Sequence, residues 1–312
     1  MQRNWKWIAQ GRFYRAAVLA FALTAALTAC GGNGDNGGGG HEGHGEGSVV
    51  ASAPETAQAS NPTGGHAGHD SGSAHSQHGE TAESGIAMEW SFAPQSPKAG
   101  DTVTITMTAR DENGEKVQEY ELGHEKEMHL IVVREDLSEF YHVHPIKRAD
   151  GEFTQEMTLP SGGTYKLFAD FIPAGHEQMT ASGTLELAGN ENVSPPQPDG
   201  KLLRSEQGVE VELALSSTKA GEESELAFTL RDAASKAGLT DLEPYLGAIG
   251  HVVIISEDTE HYLHVHPMNE DDSGPVARFA TAFPEEGLYR IWGQFQRNGE
   301  TFIVPFTIQV NN

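Results

Sequence analysis

Thr102-Val103-Thr104-Ile105-Thr106-Met107 alternates polar and apolar side chains and leads into the turn cluster Asp111-Glu112-Asn113-Gly114. A period of two puts alternate side chains on opposite faces of an extended chain, so the segment reads as a half-buried strand followed by a turn. Segments of this texture recur from Gly85 onward with turn signals between them, and no long amphipathic helical pattern interrupts them. The expectation is an all-β chain.

Working outward, much of the sequence returns at an offset close to 122 residues. Ser96-Pro97-Lys98-Ala99-Gly100 reappears as Ser217-Thr218-Lys219-Ala220-Gly221, and Arg110-Asp111 as Arg231-Asp232. Gly163-Thr164-Tyr165-Lys166-Leu167-Phe168-Ala169-Asp170-Phe171 reappears as Gly287-Leu288-Tyr289-Arg290-Ile291-Trp292-Gly293-Gln294-Phe295. Self-similarity at a fixed period marks tandem units. The expected organisation is a domain over 86–188, a polar linker over 189–207 containing Pro195-Pro196-Gln197-Pro198, and a second domain over 208–312. Two tandem immunoglobulin-like β-sandwich domains fit the length and strand count of each copy, although a small barrel has the same texture. The aromatic residues of the repeated Gly-x-Tyr segment read as core.

The centre of each copy carries histidine. Copy one runs Met128-His129-Leu130-Ile131-Val132-Val133, a turn around Asp136, then Phe140-Tyr141-His142-Val143-His144-Pro145. Copy two runs His251-Val252-Val253-Ile254-Ile255, a turn around Asp258-Thr259, then Tyr262-Leu263-His264-Val265-His266-Pro267. Folded as a hairpin, each copy sets its first histidine opposite the paired ones, with residues two apart on a shared face. His129, His142 and His144, and again His251, His264 and His266, are therefore candidate ligands for copper or zinc, which imidazole nitrogen suits. Met128 points to the other strand face and is not assigned. His124, His176 and His261 lack a counterpart in the other copy and read as surface residues. The competing reading makes the repeated histidines packing residues bonded to backbone carbonyls.

The N-terminal segment has a different character. Arg3, Lys6, Arg12 and Arg15 precede an apolar run, Ala16 to Ala26, that ends in Leu27-Thr28-Ala29-Cys30, with no acid before Asp35. A basic stretch, a short apolar core and small residues at a cut have the anatomy of a secretory signal, over 1–29. The run is short of the roughly 20 residues that a membrane span needs. Leu27-Thr28-Ala29-Cys30 resembles the bacterial lipobox, which implies lipidation of Cys30 and an anchor on the outer face of the cytoplasmic membrane. Cys30 is the only cysteine, so the mature, lipidated chain is expected to have no internal disulfide and no cysteine metal ligand, which excludes a blue-copper site.

Residues 30–85 are rich in Gly, Ser, Ala and Thr, with too little apolar surface to offset chain entropy, and read as a disordered tether. A flexible coil of that length spans on the order of 40 Å. It carries His41, His44, His66, His69, His75 and His78, a His-rich tract of the auxiliary chelating kind. With 20 Lys and Arg against 45 Asp and Glu, the chain has a formal charge of −25 and should repel nucleic acid while attracting cations. There is no phosphate-binding glycine loop, no His-Glu-x-x-His and no serine nucleophile elbow.

Met128 to Val133 with His142-Val143-His144-Pro145, and Tyr245 to His251 with His264-Val265-His266-Pro267, resemble bacterial envelope proteins of the YtkA-like kind. That resemblance covers 86–310. It implies a small β-sandwich, sometimes found beside copper or heavy-metal handling systems, and supplies no catalytic residue. The expected function is an extracytoplasmic metal-binding lipoprotein that buffers or delivers copper or zinc, with the membrane and an envelope metal-handling protein as partners. No general acid or base recurs in both copies, so the chain is not expected to be an enzyme. The rivals are a structural or interaction module of the envelope and, third, a three-histidine metalloenzyme.

Overall fold

The computed structural model describes residues 85–191, 194–265, 267–270 and 272–312. The leader, Cys30, the tether with its six histidines, and His266 lie outside the described residues.

The first domain contains β1 (Ala87–Ala93), β2 (Thr102–Arg110), β3 (Tyr120–Glu121), β4 (Met128–Arg134), β5 (Phe140–Val143), β6 (Ile146–Lys147), β7 (Phe153–Thr158), β8 (Gly163–Pro173) and β9 (Met179–Leu187). One antiparallel sheet has the order β1-β2-β7-β6; the other has the order β3-β8-β4-β5, with β9 also paired to β8. The second domain contains β10 (Leu203–Glu206), β11 (Val209–Leu215), β12 (Glu223–Asp232), β13 (His251–Ser256), β14 (Tyr262–Val265), β15 (Val276–Ala282), β16 (Gly287–Arg297) and β17 (Glu300–Val310). Its sheets run β10-β11-β12-β15 and β14-β13-β16-β17. The protein is thus all-β, two tandem immunoglobulin-like sandwiches built on one plan, and the described residues contain no helix.

Each sandwich has its own core. Val103, Ile105 and Met107 on β2 face Leu130 and Val132 on β4, and Tyr165, Leu167 and Ala169 on β8. Leu226, Phe228 and Leu230 on β12 face Val252 and Ile254 on β13, and Tyr289 and Ile291 on β16. Both repeated tyrosines are buried, at 0% and 1% exposure, so these aromatic residues are core as read. Trp90 on β1 closes the first sandwich by lying over Gly183 on β9, where an added Cβ would stand 2.7 Å from its indole ring. Gly183→Ala should displace that indole and cost about 1–3 kcal/mol, the usual penalty of overpacking. Urea unfolding measures it, and a loss under about 0.5 kcal/mol would mean that Trp90 repacks freely.

The two hairpins of interest are fixed by matching turns. Leu137 and Thr259 each adopt positive φ, 60° and 59°. Asp136 and Asp258 accept the backbone N–H two residues on, from Ser138 at 3.1 Å and Glu260 at 3.0 Å. These closed turns set the ladders Leu130 to Val143 and Ile131 to His142, and Val252 to Val265 and Val253 to His264. A one-residue slip would send every histidine to the opposite face.

β4 and β13 are buried along their whole length, on both faces. Their even-numbered residues fill the sandwich cores, while Ile131, Val133, Val253 and Ile255 join a third cluster with Leu137, Phe168, Tyr262 and Trp292. That cluster draws on both domains. Phe168 stacks on Tyr262 and Phe140 on Trp292, each pair at 4.5 Å between ring centres. The two stacks are related by the repeat, since Phe168 corresponds to Trp292 and Phe140 to Tyr262. The domains therefore dock sheet against sheet about an approximate twofold relation.

Candidate metal centre

The docked faces that carry the third apolar cluster also carry the histidines. His129 starts the outward face of β4 ahead of Ile131 and Val133; His142 follows Phe140 on the outward face of β5. In the second domain, His251 precedes Val253 and His264 follows Tyr262. Docking therefore brings the two repeated motifs to one place, with His129 stacked on His251 at 5.8 Å.

His129, His142 and His144 offer ring nitrogens that all lie within 4.8 Å of one another. Their ring centres are 5.3, 5.0 and 5.1 Å apart. An imidazole centre stands about 3.2 Å from a metal bonded at about 2.0–2.1 Å, so tetrahedral placement puts two such centres about 5.2 Å apart. The spacing of the first triad matches that figure. In the second domain, His251 and His264 point their Nε2 atoms at one another, with ring centres 4.5 Å apart. Of the sequence-derived ligands, five are brought together, and His266 lies outside the described residues.

The tautomers follow from the hydrogen bonds. His129 Nε2–H donates to the Gly123 carbonyl at 2.8 Å, which leaves the lone pair on Nδ1. His142 Nδ1–H donates to Gln294 Oε1 at 3.1 Å, which leaves the lone pair on Nε2. These two lone pairs face each other across 3.1 Å. In the second domain, His264 Nδ1–H donates to Asp170 Oδ2 at 2.7 Å and directs its Nε2 lone pair toward His251. A carboxylate or carbonyl on one ring nitrogen, with the other nitrogen turned inward, is the outer-shell pattern of metal-bound histidine. His144 Nε2 is buried and has no hydrogen-bond partner among the described residues.

Burial favours the neutral form of His129, His142, His144 and His251, as ligation requires. It lowers His129 to about 4 against the opposing bond to Gly123, and lowers His144 to about 4 with help from Lys126. Burial followed by repulsion from neighbouring imidazoles puts His142 and His251 well below the ordinary range. Burial alone would raise Asp170, but the bonds from His264, Thr180 and Tyr262 outweigh it and hold the carboxyl below its usual range.

Two surface assignments are corrected. His124 stands in the turn before β4, half-buried, with its ring 5.2 Å from His251 and 6.3 Å from His129. His261 is 6% exposed, because it directly precedes the strand that carries Tyr262 into the domain junction. His176 is exposed, as read, and Met128 is in the first core on the face away from His129. Asp170 and Gln294 were missed as site residues. Their signal was present: they occupy one position of the repeated Gly-x-Tyr segment, polar amid apolar neighbours.

The solved structures that resemble the chain include bacterial proteins. The Escherichia coli adhesin FdeC is 16% identical over 72% of this chain and 64% of its own, with a TM-score of 0.25. The Yersinia pseudotuberculosis adhesin InvE is 13% identical over 74% and 61%, with a TM-score of 0.25, and InvD of the same organism is 18% identical over 72% and 57%, at 0.24. The chain thus spans about three fifths of these proteins, 57–64% of their length. Overlaps this loose carry nothing about ligand or activity. A search of curated proteins finds no match. One family matches twice, over residues 81–189 and 204–312, one copy for each sandwich. The chain therefore belongs to the family described as a domain of unknown function, DUF8832, in two tandem copies.

Proposed function

We propose that this chain is a lipid-anchored extracytoplasmic protein that binds copper or zinc at a histidine centre formed where its two sandwich domains dock. One observation carries the metal reading: His129 and His142 aim lone pairs at each other across 3.1 Å, with the buried Nε2 of half-buried His144 beside them. A metal ion bonded to both nitrogens would satisfy these lone pairs together. The reading is binding for buffering or delivery rather than turnover. Asp170, the buried carboxylate of the centre, is matched in the other copy by Gln294, so the repeat carries no shared acid or base. The envelope location rests on the leader and on Cys30, whose lipid would supply the membrane contact. The kinship with YtkA-like envelope proteins belongs to this same reading, as does an envelope metal-handling partner.

A second reading is an envelope interaction module whose histidines are structural. It is favoured by the direct bonds of His142 to Gln294 and His264 to Asp170, which serve docking without any ion, and by that of His129 to Gly123 within the first domain. Metal content separates the two. Full-length chain with all six tether histidines replaced by serine should retain at least one ion per chain when offered Zn(II), Cu(II) or Cu(I), by elemental analysis and calorimetry. A metal-free protein after all three would leave the interaction module standing.

A further inference from the structure

Asp170 and Gln294 occupy the same position in the two copies, on β8 and β16. In its own sheet each is laddered beside the first histidine of its domain, Asp170 with His129 and Gln294 with His251. Each nevertheless bonds a histidine of the other domain. Asp170 Oδ2 accepts from His264 Nδ1 at 2.7 Å and Tyr262 Oη at 2.6 Å, while Oδ1 accepts from Thr180 Oγ1 at 2.6 Å. Gln294 Oε1 accepts from His142 Nδ1 at 3.1 Å, and its Nε2 has no partner among the described residues.

We infer that Asp170 and Gln294 are crossed positioning residues, which make metal binding at the histidine centre depend on domain docking. The inference rests on the metal reading above. An outer-shell group that accepts from one imidazole nitrogen fixes the ring and raises the basicity of the other. A carboxylate does this with a full negative charge and a shorter, charge-assisted bond. A carboxamide does it with a dipole alone. Neither orienting group comes from the domain it orients, so undocked domains would present His142 and His264 with free rotation.

The test uses the full-length chain with the tether histidines replaced by serine, titrated with Zn(II) against a chromophoric chelator. Co(II) d–d absorption reports ligation directly, and a thermal melt reports folding. The parent should bind zinc. Asp170→Asn should weaken that binding by about 10–100-fold, and Gln294→Glu should strengthen it. Tyr262→Phe, which removes a bond to Asp170 but leaves His264 its acceptor, should shift it by under about threefold. Zinc binding in the parent that both Asp170→Asn and Gln294→Glu leave within about twofold would overturn the crossed positioning while sparing the metal reading. A parent that binds no zinc overturns both. If Asp170→Asn proves unfolded in the melt, Gln294→Glu decides alone: a gain supports the inference, and no change or a loss overturns it.

Discussion

The chain carrying His129→Ala and His142→Ala loses the ion of the first-domain triad, with a fall in affinity of more than about 100-fold. Removing one outer-shell partner of a metal-bound histidine already costs about 10–100-fold, and this change removes two of three donors outright. His144 then remains as a single imidazole, which cannot enforce tetrahedral geometry. Competition titration with Zn(II), in the tether-substituted background, measures the change. The same protein should melt cooperatively, because neither core depends on these side chains: Met128, Leu130 and Val132 face inward from the strand that carries His129. Unchanged zinc affinity, or a collapsed melt with no metal ever bound by the parent, would instead make the histidines structural.

Trp292→Ala is the variant with the largest expected effect on stability. Trp292 is 3% exposed and lies in neither sandwich core; it packs between the domains against Phe140, with ring planes 14° apart. Truncating a buried tryptophan costs about 3–5 kcal/mol. A domain is typically stable by only about 5–15 kcal/mol, so the loss is a large share of the total. Because the missing contacts are between domains, the loss should fall on docking rather than on either fold. Calorimetry should show the parent's transition dividing into two, and small-angle scattering should show a longer particle. Zinc binding should weaken as well, since Asp170 no longer reaches His264. A single transition with an unmoved midpoint would show that the domains hold together by other means.

How much of this was legible in the sequence varies with the range of the contact. Strand alternation at Thr102–Met107 and the repeat at about 122 residues convey an all-β tandem fold, because period and self-similarity are local properties. The hairpin that gathers His129, His142 and His144 was legible for the same reason: a short turn around Asp136 leaves one sensible register. The domain junction was not read, although it left a trace. Leu130-Ile131-Val132-Val133 and Val252-Val253-Ile254-Ile255 do not alternate, and an unbroken apolar run is what a strand buried on both faces requires. His124 and His261 were misread because the absence of a repeat partner was taken for exposure. The docked faces meet through residues from both copies, and each copy fills its side of the junction with its own side chains.

By itself, the sequence determined the fold class, the two-copy organisation, the hairpin registers and the identity of the candidate donors, all of which follow from spacing along one chain. Only the tertiary structure decided that described histidines of both copies lie side by side at the domain junction, and that Asp170 and Gln294 each bond a histidine of the other domain. The reason is physical: which face of one sheet meets which face of another depends on side-chain fit between residues 92 to 152 positions apart, as with Tyr262 on Asp170 and Gln294 on His142. No periodicity within either copy encodes that fit.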